Sequence, residues 1–148
     1  MVELRKGIKE DIPDIFELIK ELAIYENGLD QVSNSIERME EDGFGDHPIY
    51  EFIVAEEKGK IIGGAIYYYR YSTWKGKRMY LEDLIVTESK RGSGTGKLLF
   101  DEMLAIAKAN HCTGMMWQVL DWNEPAINFY KKYNTNFDGE WINCNVDF

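Results

Sequence analysis

Six residues, Arg91-Gly92-Ser93-Gly94-Thr95-Gly96, constrain the fold of this 148-residue chain more than any other stretch. The apolar run Met79–Val86 before them reads as a strand. From Lys97 to Ala107, apolar residues recur at helical spacing. Alternating glycines let the backbone turn its N–H groups inward, because no side chain blocks the approach. The helix that follows points its positive end at the same place. A strand, a glycine turn and a helix in this order make a seat for phosphate.

Two common phosphate motifs fail on spacing. A Walker A loop needs a glycine five positions before Gly96, where Arg91 stands, and a Ser or Thr after Lys97, where Leu98 stands. A dinucleotide fingerprint needs its third glycine at position 97, so Gly96 comes one residue early. The turn also follows a series of antiparallel strands, two-thirds of the way along the chain.

The chain on either side supplies a mixed sheet. Val2–Arg5 alternates as an edge strand. Asp11 is placed to cap a helix whose apolar face is Ile12, Ile15, Phe16, Ile19, Leu22 and Ala23, and Asn27-Gly28 ends it. A weaker helix covers about Ser35–Asp42. Strands are expected at Tyr50–Glu56, Ile61–Tyr71 and Met79–Val86, turned at Lys58-Gly59 and at Trp74–Lys77. Met115–Leu120 reads as a strand parallel to Met79–Val86, joined to it by the helix between. Asn123-Glu124-Pro125 opens a last helix, with Asn134 expected in a left-handed cap, and Trp141–Val146 reads as a final strand. The expectation is one α/β (α+β) domain over residues 1–148, its sheet mostly antiparallel with helices on both faces.

Composition excludes several classes. Hydrophobic residues at 45% and aromatics at 14% give the chain enough to bury, which argues against disorder. A net charge of −9 argues against nucleic acid and favours cationic partners. There is no apolar run of membrane-spanning length and no signal-peptide core at the start. With only two cysteines, the expectation is a reduced, cytoplasmic protein with no membrane partner. His47 and His111 are too isolated to suggest a metal site, and none is expected.

The spacing that does match is Arg-x-x-Gly-x-Gly at Arg91, Gly94 and Gly96. Set between a strand and a helix, it resembles the acetyl-CoA-binding motif of the GNAT superfamily of N-acetyltransferases. Three longer stretches, Tyr80–Val86, Trp122–Lys131 and Glu41–Pro48, are similar to the diamine (spermidine/spermine, thialysine) acetyltransferase branch, as is Tyr25-Glu26.

The resemblance implies a GNAT-like sheet whose two parallel strands splay apart at the acetyl-CoA site. It implies that pantetheine pairs with the backbone of Leu84, Ile85 and Val86, and that Asn123 approaches the same arm. The pyrophosphate would rest on the N–H groups of Gly92, Ser93, Gly94, Thr95, Gly96 and Lys97, with Arg91 and Lys97 supplying charge. By its position in Asn128-Phe129-Tyr130-Lys131, Tyr130 matches the family's general acid, and a phenol can protonate a departing thiolate.

The acceptor amine poses the harder problem, because presenting it neutral at pH 7 costs about 4–5 kcal/mol. The resemblance makes Glu82 the base, directly or through water. Strand alternation turns Glu82 and Asp83 to opposite faces, so that only one looks into the site, and Asp83 is held in reserve. Tyr25, Glu26, Glu82 and Glu140 would bind a small cationic acceptor, a di- or polyamine or a lysine-like amine such as thialysine. The resemblance also implies a homodimer. A protein amine, another small amine, or a non-catalytic CoA-binding regulatory role are the alternatives.

Overall fold

In the computed structural model, which describes residues 1–148, five strands form one sheet in the order β1-β2-β3-β4-β5. β1 (Val2–Lys6), β2 (Glu51–Glu57), β3 (Lys60–Ser72) and β4 (Gly76–Val86) pair antiparallel in succession. β5 (Met115–Met116) pairs parallel to β4, Met79 opposite Met115 and Tyr80 opposite Met116. Helices α1 (Ile12–Tyr25) and α2 (Ile36–Phe44) lie between β1 and β2, and α3 (Thr95–Ala109) lies between β4 and β5. The chain divides into two compact units, residues 1–117 and 118–148. The second unit carries α4 (Glu124–Lys131). No helix is long and apolar enough to cross a membrane.

The first unit is built as the periodicities require. Ile12, Ile15, Phe16 and Leu18 from α1, with Met39 from α2, bury against Phe52, Val54, Ile66 and Ile85 of the sheet. Each contributes on the order of 1.5–3 kcal/mol of hydrophobic stabilisation. On the opposite face α3 packs on β3 and β4 and buries Leu99, Phe100 and Met103. Gly63 and Gly64 let the two helices come this close. A Cβ at Gly64 would lie 2.7 Å from Ile15 Cδ1 of α1, and one at Gly63 would lie 3.3 Å from Leu99 Cδ1 of α3.

Four local expectations need correction. Asp11 does not cap α1 through its side chain. Its carboxylate turns to Arg5 Nη1 and Nη2 at 2.7 and 2.9 Å and to the Ile8 N–H at 2.8 Å. Residues 117–120 and 141–146 form no strand. The β4–β5 ladder stops at Tyr80, and a segment with no ladder to join cannot satisfy its backbone by itself. Asn134 is not left-handed; that conformation falls to Asn27 at the end of α1, with φ 59°.

Candidate active site

The glycine turn adopts the geometry its sequence demands. Gly92 and Gly94 have φ of 78° and 91°, in the left-handed region. A Cβ at either would meet nothing within 4 Å, so conformation rather than space requires glycine, and the surface above the turn is open. α3 starts at Thr95, two residues earlier than the periodicity suggests, with Gly94 as its cap. The Leu98 N–H bonds to the Gly94 carbonyl at 3.1 Å, whereas the amides of Thr95, Gly96 and Lys97 reach no carbonyl. These are the unsatisfied donors of a first helical turn. Ser93 Oγ donates to the Lys90 carbonyl at 2.6 Å and lies 2.9 Å from the buried Thr95 hydroxyl, which fixes the turn from beneath.

The cations beside the turn have protein partners. Lys97 Nζ is 2.6 Å from Asp101 Oδ2, one helical turn on. Arg91 donates from Nε to the Val86 carbonyl at 3.3 Å and lies 3.9 Å from Glu21 Oε1. Its guanidinium sits 4.9 Å from the centre of the Tyr25 ring. Tyr25, expected to meet a cationic substrate, thus already has an internal cation over its ring.

β4 is paired differently on its two edges. Toward β3 it is laddered to Val86, which lies opposite Gly63. Toward β5 the ladder holds only Met79 and Tyr80. Leu84, Ile85 and Val86 therefore present their second backbone edge outside the parallel ladder, directly ahead of the glycine turn.

Between these regions β4 carries a bulge. Tyr67 lies opposite Leu81 and Ile66 opposite Asp83, leaving Glu82 as the extra residue. A bulge breaks strand alternation, and this one corrects the expectation that Glu82 and Asp83 act on opposite faces. Asp83 shares its row with Ile66, on the face that carries α1. Glu82, exposed, accepts a hydrogen bond from the Tyr68 hydroxyl at 3.0 Å. Tyr68 and Tyr80 stack at 5.3 Å. Burial, then the Glu82 charge, pushes the Tyr68 phenol up to about 12. Tyr80 is raised by burial and by Glu82, with a smaller contribution from Asp83. The two carboxylates and two phenols form one cluster.

Asp83 is the perturbed member. Burial first, then the negative charges of Glu82 and Glu26, push its carboxyl up to about 7. Glu26, at the end of α1, is itself raised by loss of hydration. A carboxyl that changes charge near neutrality can hold or release a proton at working pH. Its sequence signal was only the Glu-Asp pair. Tyr68, Tyr80 and Arg70 escaped the sequence reading, because only the β3–β4 register shows that they share this face.

In the second unit Asn123 is buried and caps α4, its side-chain oxygen accepting from the Ala126 N–H at 3.3 Å. Tyr130 is buried on α4; its ring lies 5.4 Å from that of Phe129, and its carbonyl accepts from Thr135 Oγ1 at 2.6 Å. Glu140 is exposed, its N–H on Asp138 Oδ1, and Asp138 also accepts from the Trp141 ring N–H.

Comparison with known proteins accounts for this arrangement. The profile of the Acetyltransferase (GNAT) family matches residues 12–134. Thialysine N-epsilon-acetyltransferase of Bos taurus is 38% identical over 138 residues, covering 88% of this chain and 81% of that protein. Spermidine/spermine N(1)-acetyltransferase-like protein 1 of Homo sapiens is 38% identical over 86% of this chain, though over only 19% of its own length. An integron cassette protein from V. cholerae superposes with a TM-score of 0.79 at 26% identity, covering 99% of this chain and 93% of its own. A possible acetyltransferase from Clostridium difficile superposes at 0.80 with 19% identity, covering 100% of this chain and 99% of its own, which speaks to the fold alone. With the family profile spanning the glycine turn, the β4 bulge and α4, the chain belongs to the GNAT acetyltransferase family and is an acetyl-CoA-dependent N-acetyltransferase.

Proposed function

We propose that the acceptor is a primary amine of a small cationic molecule, a diamine, polyamine or lysine-like amine, acetylated directly in one site. One observation carries this reading. Two carboxylates meet at the β4 bulge, and one of them, Asp83, is poised to change charge near pH 7. A carboxylate that binds an ammonium also makes it harder to deprotonate. The bulge offers a way to divide the tasks. Exposed Glu82 receives the ammonium and relays its proton, directly or through water. Asp83, whose proton affinity burial has raised, accepts it.

The residues present fit acetyl-CoA. The free amides of Thr95, Gly96 and Lys97 and the open, left-handed Gly92 and Gly94 suit a pyrophosphate, and the unladdered edge of Leu84–Val86 suits an amide-bearing arm. When bound, acetyl-CoA supplies an activated acyl thioester. Arg91 and Lys97 would exchange their carboxylate partners, Glu21 at 3.9 Å and Asp101 at 2.6 Å, for phosphate oxygens. Asn123 helps hold the arm, and Tyr130 gives its phenolic proton to the departing thiolate. The ammonium loses two protons: the first passes to Asp83 and on to solvent, and the second, lost from nitrogen as the thiolate departs, returns Tyr130 to its phenol and matches the proton the thiol gains. Tyr25, Glu26 and Glu140 complete the acceptor region. Residues 1–148 work as one domain of a cytoplasmic homodimer.

The test is release of free thiol from acetyl-CoA by purified protein, across diamines, polyamines, lysine-like amino acids, aminoglycosides and a lysine-containing peptide. Turnover concentrated in the first three groups is expected. Turnover confined to the peptide or to aminoglycosides would overturn the acceptor assignment.

A further inference from the structure

The acidic cluster at the β4 bulge has a cation beside it. Arg70 lies on β3 two residues beyond Tyr68 and opposite Arg78, so its side chain shares the face of Tyr68 and Tyr80. Its charge opposes that of Glu82 at both phenols: Glu82 raises Tyr68 and Tyr80, and Arg70 lowers them. One guanidinium and the carboxylates therefore act on the same small volume, yet they are not ion-paired. Glu82 takes its hydrogen bond from Tyr68, and Arg70 Nη1 meets the Met116 thioether. A thioether is neutral and only a weak acceptor. Arg5, by contrast, closes a fork on Asp11 and reaches Glu56. In a chain of net charge −9, an exposed guanidinium without a carboxylate beside an acidic cluster is an anion receptor held in reserve.

A site with separated charges of both signs matches a ligand with separated charges of both signs. A diamine or polyamine carries only positive charge, and Arg70 repels it. An amino acid with an amine on its side chain carries a carboxylate at one end, which the planar fork of arginine binds through two parallel hydrogen bonds. Two strand positions, about 7 Å, separate the Tyr68 row from the Arg70 row, on the scale of such a side chain. We propose that the preferred acceptor is a zwitterionic diamino acid of the lysine or ornithine type. Its side-chain amine lies at Glu82 and Asp83 and its α-carboxylate on Arg70, which makes Arg70 a specificity-determining residue. This inference rests on the acetyl-transfer reading above and narrows it.

The experiment compares substrates that differ only in the carboxylate: L-lysine against cadaverine and L-ornithine against putrescine, read as kcat/KM from thiol release. Wild-type protein favours the amino acid of each pair. Arg70→Gln lowers the ratio of amino acid to diamine by about tenfold or more, the size of one lost charged hydrogen bond. Arg70→Lys recovers part of that ratio, because the charge remains and the fork does not. A wild-type preference for the diamines, or a ratio unmoved in Arg70→Gln, overturns the inference while leaving amine acetylation intact. Absence of thiol release with all four amines overturns this inference, and only absence with the longer polyamines and other lysine-like amines as well removes the small-amine reading with it.

Discussion

Asp11 and Asp83 are the same residue on the same side of one sheet, and the protein moves them in opposite directions. Asp11, buried, is held below the usual carboxylate range first by the hydrogen bonds from Arg5. The Ile8 N–H and the Arg5 charge add to the effect, against a desolvation cost. Asp83 has no such cation. Burial, Glu82 and Glu26 all favour its protonated form and push it up to about 7. Burial alone does not decide the outcome; what faces the carboxylate does. A paired carboxylate ties β1 to the start of α1 and is inert to pH near neutrality. An unpaired one beside like charges is less stable when ionised and chemically useful for that reason.

The sharpest way to break the comparison is Asp83→Asn. With the proton acceptor gone, kcat/KM at pH 7 should fall about 100-fold or more, the ordinary contribution of a positioned base. Folding stability should move the other way. The folded-state value of Asp83 lies above its ordinary 3.8, so the folded protein holds the proton more tightly. Ionising this group costs nothing below about pH 4, costs progressively more as the pH rises, and costs the full amount above about pH 7. Asp83→Asn should therefore stabilise the protein at pH 8 by up to roughly 4 kcal/mol and leave it nearly unchanged at pH 3.5. Thermal melts at the two pH values read this directly. Equal melting shifts at both would remove Asp83 from the role.

Asp11→Ala should show the opposite pattern with a smaller free energy. It strips Arg5 of its fork and leaves the Ile8 N–H without an acceptor, for a loss of roughly 2 kcal/mol at pH 7. In a chain of this size that is about 4–8 °C in melting temperature. The value is below that of a fully buried pair because the Arg5 side chain is 37% exposed. The folded-state value here is lowered, so the stabilisation is present above about pH 4 and is lost as pH falls through the lower, folded value. The deficit of Asp11→Ala should shrink in acid. Its kcat per folded molecule should match wild type, and a 100-fold loss there would erase the distinction between the two aspartates.

The sequence shows these regions to different depths. The glycine turn is legible because its constraint is local: φ above zero at Gly92 and Gly94 is a property of those residues alone. The element order is legible from periodicity, and the parallel return of the chain after α3 from the length of the crossover. The bulge at Glu82 is not, since it is a mismatch between β3 and β4 that neither strand records by itself. The raised value of Asp83 draws on burial under the packed fold and, last, on Glu26, brought from the end of α1 at a separation of 57 residues in sequence. The tie of Asp11 to Arg5, and the stacking of Arg91 on Tyr25, likewise depend on neighbours that folding brings together. Residues 141–146 show the reverse failure. Their β-like composition is visible, but composition does not provide a neighbouring strand.

The smallest effect tests the cause rather than the assignment. If the like charge of Glu26 helps to hold Asp83 up, then Glu26→Gln should lower the proton affinity of Asp83 without touching its contacts. Glu26 is the last of the three causes, behind burial and Glu82, so the change should be a few tenths of a pH unit. A weaker proton affinity lets Asp83 ionise at lower pH, so the acid limb of the kcat/KM profile should move to lower pH. Glu56→Gln is the matched control, because it removes a carboxylate from the Arg5 fork beside Asp11. It should leave the acid limb in place. A limb that moves with Glu56→Gln, or toward higher pH with Glu26→Gln, would mean that the titrating group is not Asp83. Movement with Glu26→Gln alone would tie the protonation of the β4 bulge to the end of α1.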